Sequence, residues 1–318
     1  MDSTQYSTLT VARGFAYNVY YTSPATEGRP TLLFLHGFPS TSYDWRKQIV
    51  HFKAHGFGET SKPTNSKAFR LGALAQDVVD ILDAFGLRKV IGVGHDWGSI
   101  LMSRLSMLHQ ERFSGLVWLG LGFCEPIVRP FDLQGAMTET KAAFGYEMYA
   151  YWEFFTQPDA AQIIHQNVDS FIQLAYARDP TTWLTWMIQR GKTAECIENN
   201  VLLGRPDWIS DEEYDIMRQH LLTHGVASSL LWYVNQVVNN DLEENLKIPT
   251  DAYTIKVPSL LVGASKDCFC IESFNLTQMQ KYATALQTAS VPAGHWPQLE
   301  CGDEVNRIIE EWLANVPM

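Results

Sequence analysis

The chain has 318 residues, 46% of them hydrophobic, which is enough for one large domain with an insertion or for two domains. A net charge of −11, a pI near 5.3 and the lack of any basic run argue against nucleic acid or an anionic membrane surface as partner, and leave a small molecule. No apolar run reaches the roughly 18 residues of a membrane span, and the N-terminus lacks the basic and apolar regions of a leader, so a cytoplasmic protein is expected. Five cysteines, at 124, 196, 268, 270 and 301, are odd in number and lack CxxC spacing, indicating neither a disulfide framework nor a zinc site. Aromatic residues make up 12%, which suits an apolar pocket and an aromatic-rich core equally.

In chain order, Thr8 to Thr22 carries enough alternation, Val and Tyr to predict a hairpin turning near Arg13-Gly14. Thr31 to Leu35 is a continuous apolar run, as in a buried parallel strand, and it feeds the loop His36-Gly37-Phe38-Pro39. Leu74 to Phe85 has helical apolar spacing that ends at Gly86. Val90 to Val93 then enters Gly94-His95-Asp96-Trp97-Gly98-Ser99, followed by the helical spacing of Ile100, Leu101, Leu105 and Leu108. This pattern of strand, sharp turn and helix is a nucleophile elbow, with glycines at 94 and 98 for the tight turn and Asp96 at its tip. Phe113 to Leu121 predicts a further buried strand. After Pro126 the texture changes, and residues 131–247 read as long polar-aromatic helical stretches without a clear strand, an inserted helical lid. Strands return at Val257 to Gly263 and Thr288 to Val291, and an amphipathic helix runs from Glu304 to Ala314. Strands alternating with helices over 1–130 and 248–318 predict a doubly wound, mostly parallel α/β core.

A carboxylate at an elbow tip can attack carbon and form an ester, so Asp96 points to opening of an alkyl centre; capping of the following helix is the alternative use of an Asp there. Ligands in open α/β sheets bind at the carboxyl ends of strands. Three candidates sit after strands in the order nucleophile, acid, histidine: Asp96, Asp267 and His295. His295 in that place would take a proton from water and be oriented by Asp267. Any one loop Asp or His alone would read as a surface residue; the ordered set does not. Nothing in the pattern calls for a metal or a cofactor.

Through His36-Gly37-Phe38-Pro39, Gly94-His95-Asp96-Trp97-Gly98, Lys266-Asp267 and Gly294-His295-Trp296, the chain resembles a soluble epoxide hydrolase of the α/β-hydrolase superfamily. The resemblance implies two steps, in which Asp96 opens the epoxide to a hydroxyalkyl ester and water activated by His295 with Asp267 hydrolyses it to a diol. It implies an oxyanion hole from the backbone N–H groups of Phe38 and Trp97. It also implies two lid tyrosines that assist the departing oxygen, here Tyr151, upstream of Phe155 and Pro158, and Tyr233 beside Trp232, with Tyr146 and Tyr149 as fallbacks for the first. His36, Pro39, Trp152, Trp232 and Trp296 are the candidates for substrate contact. The expected partners are a small hydrophobic epoxide and water, with a homodimer left open.

One departure from the family pattern stands out. The family carries a further strand and a glycine-aromatic-glycine turn where His55-Gly56-Phe57-Gly58 here runs straight into Glu59. A core strand after Gly58 is therefore missing, which would either leave a gap in the sheet or make the hairpin pair across it, and exposed strand edges are costly. Two other functions remain open on sequence: a haloalkane or haloacid dehalogenase, which also uses an elbow Asp, and a hydrolase-like binding protein that has lost activity.

Overall fold

The computed structural model describes residues 3–22, 29–52, 56–57 and 61–316. Its strands, in chain order, are β1 (Tyr6–Thr10), β2 (Ala16–Tyr20), β3 (Leu32–Leu35), β4 (Gly56–Phe57), β5 (Val90–His95), β6 (Phe113–Leu119), β7 (Ser259–Ala264) and β8 (Leu286–Val291). A five-stranded sheet in the order β3-β5-β6-β7-β8 is parallel throughout. Every residue of β3, β5 and β7 is buried, the behaviour of a strand covered on both faces, and it explains why these segments read as apolar runs without alternation.

Alternate residues of the strands feed two separate cores. On one face Leu33, Leu35, Val90, Leu116 and Leu261 pack with Val78, Ile81 and Leu82 of the helix Leu71–Ala84 and with Met102 and Leu105 of the helix Trp97–Leu108. On the other, Phe34, Ile91, Val93, Val117 and Val262 meet Trp45, Ile49, Val305, Ile309 and Trp312. Val305, Ile309 and Trp312 fall at three- and four-residue spacing, so the terminal helix Gly302–Leu313 turns one apolar stripe inward. Full burial of each such side chain is worth about 1.5–3 kcal/mol.

The strand deficit takes a definite form. Gly56–Phe57 survives as a two-residue strand paired antiparallel to β2, and β1-β2-β4 make a small sheet of their own. No ladder among the described residues joins this sheet to β3. Gly58 to Thr60 lie outside the described residues. The hairpin is held to the larger sheet by side chains instead: Val11 and Val19 share the core of Leu33 and Leu35, and Tyr20 shares that of Leu32 and Phe34.

The chain divides into two compact units, Met1–Ser61 with Arg70–Val128 and Glu243–Met318, and Lys62–Phe69 with Arg129–Leu242. The second unit is helical among the described residues, but the expected long stretches are broken. Only Leu133–Phe144 and Asp211–His224 exceed ten residues; left-handed Gly145, with φ of 88°, ends the first of these, and Gly191, with φ of 75°, precedes the helix Lys192–Glu198. Asp211–His224 starts from a capping box made by Ser210 and Glu213. Residues 62–69, which the sequence reading put in the core, belong to this second unit. Phe69 meets Trp232 edge-on at 5.3 Å, Ser228 Oγ donates to the Pro63 carbonyl and Asn240 Nδ2 to Ser66 Oγ. No described helix is long and apolar enough to cross a membrane.

Candidate active site

β5 delivers Asp96 to the start of the helix Trp97–Leu108 with φ 55° and ψ −127°, a conformation that costs a non-glycine residue on the order of 1–3 kcal/mol. The flanking glycines explain how the turn is held. A Cβ on Gly98 would fall on the Leu35 carbonyl, and one on Gly94 would lie 2.9 Å from the Gly98 oxygen. The Asp96 side chain makes no capping bond to the helix, so the helix-cap use of this residue is set aside. Its carboxylate turns toward β3 instead, where the Phe38 N–H donates to Oδ1 at 2.9 Å, and the Trp97 N–H supports it from the elbow itself. Gly37 has to be glycine, because a Cβ there would overlap the Asp96 carboxylate. Phe38–Pro39 is a cis peptide.

The loops after β7 and β8 bring the other two candidates to the same end of the sheet. His295 Nδ1 donates to Asp267 Oδ2 at 2.8 Å, and His295 Nε2 faces Asp96 Oδ2 at 3.7 Å, a charge-pair distance longer than a hydrogen bond. Asp267 is fixed in turn by the Phe269 N–H on its Oδ1 at 2.8 Å. Burial disfavours charge on all three groups, but their opposite charges outweigh it. Asp96 and Asp267 are held below the ordinary carboxylate range by the His295 cation, and His295 is held well above its ordinary value by Asp267 and Asp96. At rest the site is carboxylate, imidazolium, carboxylate.

Sequence reasoning missed the residues that hold His295 in place. Glu300 accepts from the N–H groups of Gly294 and Trp296 at 2.7 and 3.0 Å, clamping the loop on either side of the histidine. His95 Nε2 donates to the His295 carbonyl at 2.7 Å while its Nδ1 accepts from Gln298 at 3.2 Å, tying the elbow to the histidine loop. Burial and the neighbouring His295 charge push His95 down to about 4, so it stays neutral with one tautomer fixed by its partners. The signal for His95 was its place inside the elbow motif; Glu300 carried none. Cys270, also unremarked as a site residue, brings its Sγ to 3.9 Å from His295 Nδ1.

The remaining candidates divide by unit. In the first, His36 Nδ1 donates to the Gly37 carbonyl at 3.0 Å. Trp296 is 2% exposed and packs edge-on against His295 with ring centroids 4.9 Å apart. That contact makes Trp296 a support for the histidine. In the second, Tyr151 and Tyr233 come together, 5.9 Å between centroids and 82° between planes. Trp152 and Phe155 pack against Tyr233 at 5.2 and 5.1 Å. Tyr149 stacks edge-on to Trp152 and Phe131, and Tyr146 lies beside Phe144. Trp232 faces Phe69. All five cysteines are free thiols.

A parallel sheet with a strained strand-to-helix turn, and an acid and a histidine following at later strand ends, defines a nucleophile-elbow hydrolase, here with an aspartate at the tip. Residues 30–300 match the family model described as alpha/beta hydrolase fold. Epoxide hydrolase B of Mycobacterium tuberculosis is 33% identical over 96% of this chain and 97% of its own. Bifunctional epoxide hydrolase 2 of Sus scrofa is 26% identical over 89% of this chain, which spans only 51% of that relative. The solved structure of Epoxide Hydrolase A from Mycobacterium thermoresistibile covers 98% of this chain and 99% of its own with a TM-score of 0.78, and an epoxide hydrolase from an endophytic Streptomyces covers 97% and 95% with 0.80. Both are 23% identical and so speak to the fold. The chain belongs to the α/β-hydrolase fold family, among the epoxide hydrolases.

Proposed function

We infer that this protein opens a hydrophobic epoxide to a vicinal diol through an ester on Asp96. One observation carries the reading: the two oxygens of the Asp96 carboxylate are differentiated, Oδ1 held by the Phe38 N–H and Oδ2 turned to His295. Oδ2 attacks an epoxide carbon, the C–O bond breaks, and the epoxide oxygen takes a proton from Tyr151 or Tyr233. Oδ1 stays on the Phe38 N–H as the ester carbonyl. Water then loses a proton to His295 Nε2 and adds to the ester carbon, and the oxyanion forms on Oδ1, which the Phe38 N–H already meets and which the Trp97 N–H would complete as the second donor. Removing one such donor typically costs about 100-fold or more in rate. Collapse breaks the bond to Oδ2, which leaves in the diol with the proton that His295 took from water, and the second proton of that water, left on the new Asp96 carboxyl, replaces the one the tyrosine gave up.

Esterification also prepares the second step. His295 is protonated at rest, and a protonated imidazole is no base. Alkylation erases the Asp96 charge, one of the groups that hold that proton, so the His295 affinity for it falls once the ester exists.

The oxygen bookkeeping provides the test. In a single turnover with styrene oxide in ¹⁸O-water, the diol is expected to emerge unlabelled, with ¹⁸O in the Asp96 carboxylate, because both diol oxygens come from epoxide and enzyme. Label in the first-turnover diol would mean direct attack of water and would overturn the ester. Release of halide from a haloalkane, without diol from any epoxide, would favour the dehalogenase.

The two steps should part in pH. Asp96 lies below the ordinary 3.8, so alkylation is expected to stay flat from pH 5 to 8 in stopped-flow traces. Hydrolysis of the ester needs neutral His295 and is expected to rise with pH over that range. A hydrolysis rate that falls as pH rises would exclude His295 as the base.

A further inference from the structure

We propose that Asp267, Cys270 and His295 form a binding site for a thiophilic divalent cation such as Zn²⁺, and that its occupation halts catalysis after the alkylation step. One carboxylate oxygen, the Cys270 sulfur and a ring nitrogen of His295 all lie within 4.8 Å of one another, a donor set of the kind zinc takes. His295 Nδ1 stands 2.8 Å from Asp267 Oδ2 and 3.9 Å from Cys270 Sγ. Zinc bonds of about 2.3 Å to sulfur and about 2.0 Å to nitrogen and oxygen, at a tetrahedral angle, put S and N about 3.5 Å and N and O about 3.3 Å apart, so the S···N pair must close, and the N···O pair open, by about half an ångström each.

The surroundings favour the same reading. The carboxylate is already oriented by the Phe269 N–H. Gly120, at a left-handed φ of 69°, borders the donors: a Cβ there would lie 3.8 Å from the Cys270 Cβ and 4.0 Å from Asp267 Oδ2, in ordinary contact. The Cys270 thiol plays no part in the two-step scheme, and its contact with Nδ1 is only the weak kind a thiol makes.

The consequence for catalysis rests on the two-step reading above. Binding would release the protons of Cys270 Sγ and His295 Nδ1 to solvent and place the cation on Nδ1. The hydrogen of the imidazole then resides on Nε2, which can no longer accept one from water. Asp96 keeps its nucleophilic Oδ2. A cation-loaded enzyme should therefore alkylate and stall as the ester.

Two measurements on the purified full chain test this independently. Titration with Co²⁺ in chelator-free buffer is expected to give a saturable near-ultraviolet cobalt–thiolate absorption at one equivalent. Cys270→Ser should abolish that band and weaken Co²⁺ binding at least tenfold, with an unchanged circular dichroism spectrum. Absence of the band in the wild type, or its persistence in Cys270→Ser, would overturn the site. Separately, Zn²⁺ with styrene oxide should build up the Asp96 adduct in intact mass. Cys270→Ser should need at least tenfold more Zn²⁺ for half-inhibition of its own metal-free rate, and EDTA should restore turnover. Cobalt binding by a protein inert to every epoxide would keep the site and sink the proposed activity, whereas turnover indifferent to Zn²⁺, with no cobalt band, would do the reverse.

Discussion

Replacing His295 with glutamine is expected to stop the cycle halfway, leaving the protein alkylated at Asp96. Glutamine fills much of the space of the imidazole and can still face Asp267, but it cannot take a proton from water, and loss of a positioned base costs about 100- to 10,000-fold. The alkylating machinery lies elsewhere. Asp96 keeps the Phe38 N–H on Oδ1 and its place at the elbow, both set by backbone. Intact mass after mixing with styrene oxide should show one added equivalent of epoxide, located to the peptide containing Asp96. Asp96→Ala should add nothing and form no diol. Because removing the imidazolium also removes the charge that holds the Asp96 carboxyl down, the alkylation rate of His295→Gln should begin to fall at a higher pH than that of the wild type as acid is added. A His295→Gln enzyme that forms diol at the wild-type rate, or one that never forms the adduct while remaining folded, would end the two-step scheme.

The chemistry of this site was legible because it is written in short local motifs, while its support was not. Asp96 and Asp267 each follow a run of apolar residues, and a buried parallel strand is the kind of element whose carboxyl end can be located from such a run; His295 follows the largely unburied strand β8, and its motif Gly294-His295-Trp296 was the stronger sign. Phe38 and Trp97 meet the Asp96 carboxylate through backbone N–H groups, so only the resemblance of the motifs around them could point there. Glu300 and Gln298 reach His295 and His95 from a short helix, Pro297–Glu300, whose sequence has no periodicity to read. Trp296, a candidate substrate contact by its place beside His295, is also buried against His295 and His95, a contact that its sequence position did not announce.

At the level of the fold, the missing strand was legible in sequence as a deficit against the family pattern, but the way the hairpin attaches depended on side chains far apart in sequence. Val11, Val19 and Tyr20 join the cores of β3 where the ladder does not. Segment 62–69 escaped the reading for the same reason, since its anchors Trp232, Ser228 and Asn240 lie more than a hundred residues on. The helices of the second unit were overlong on paper because helical spacing in aromatic-rich sequence says little about where each turn stops.

Substituting both Tyr151 and Tyr233 with phenylalanine is expected to abolish epoxide opening while leaving the protein folded. The two rings meet edge to plane at 5.9 Å. Tyr233 is 3% exposed among Trp152 and Phe155, so its packing is carried by the ring and survives the change to Phe. What is lost is the pair of hydroxyls. An epoxide oxygen leaving without a donor departs as an alkoxide, and removing a positioned acid costs about 100- to 10,000-fold. Each single variant should retain part of the rate, because the neighbouring hydroxyl can still donate. The double variant should lose more than either single one, and the loss should appear in formation of the Asp96 adduct and not in its hydrolysis. That assignment to the first step separates an acid from a packing residue. A packing defect would lower the unfolding midpoint, whereas loss of the acid alone leaves the midpoint within a few degrees of wild type and leaves ester already formed on Asp96 to hydrolyse at its usual rate. Normal adduct formation in the double variant would place the acid on another group, with Tyr149, packed against Trp152 and Phe131, the next to replace.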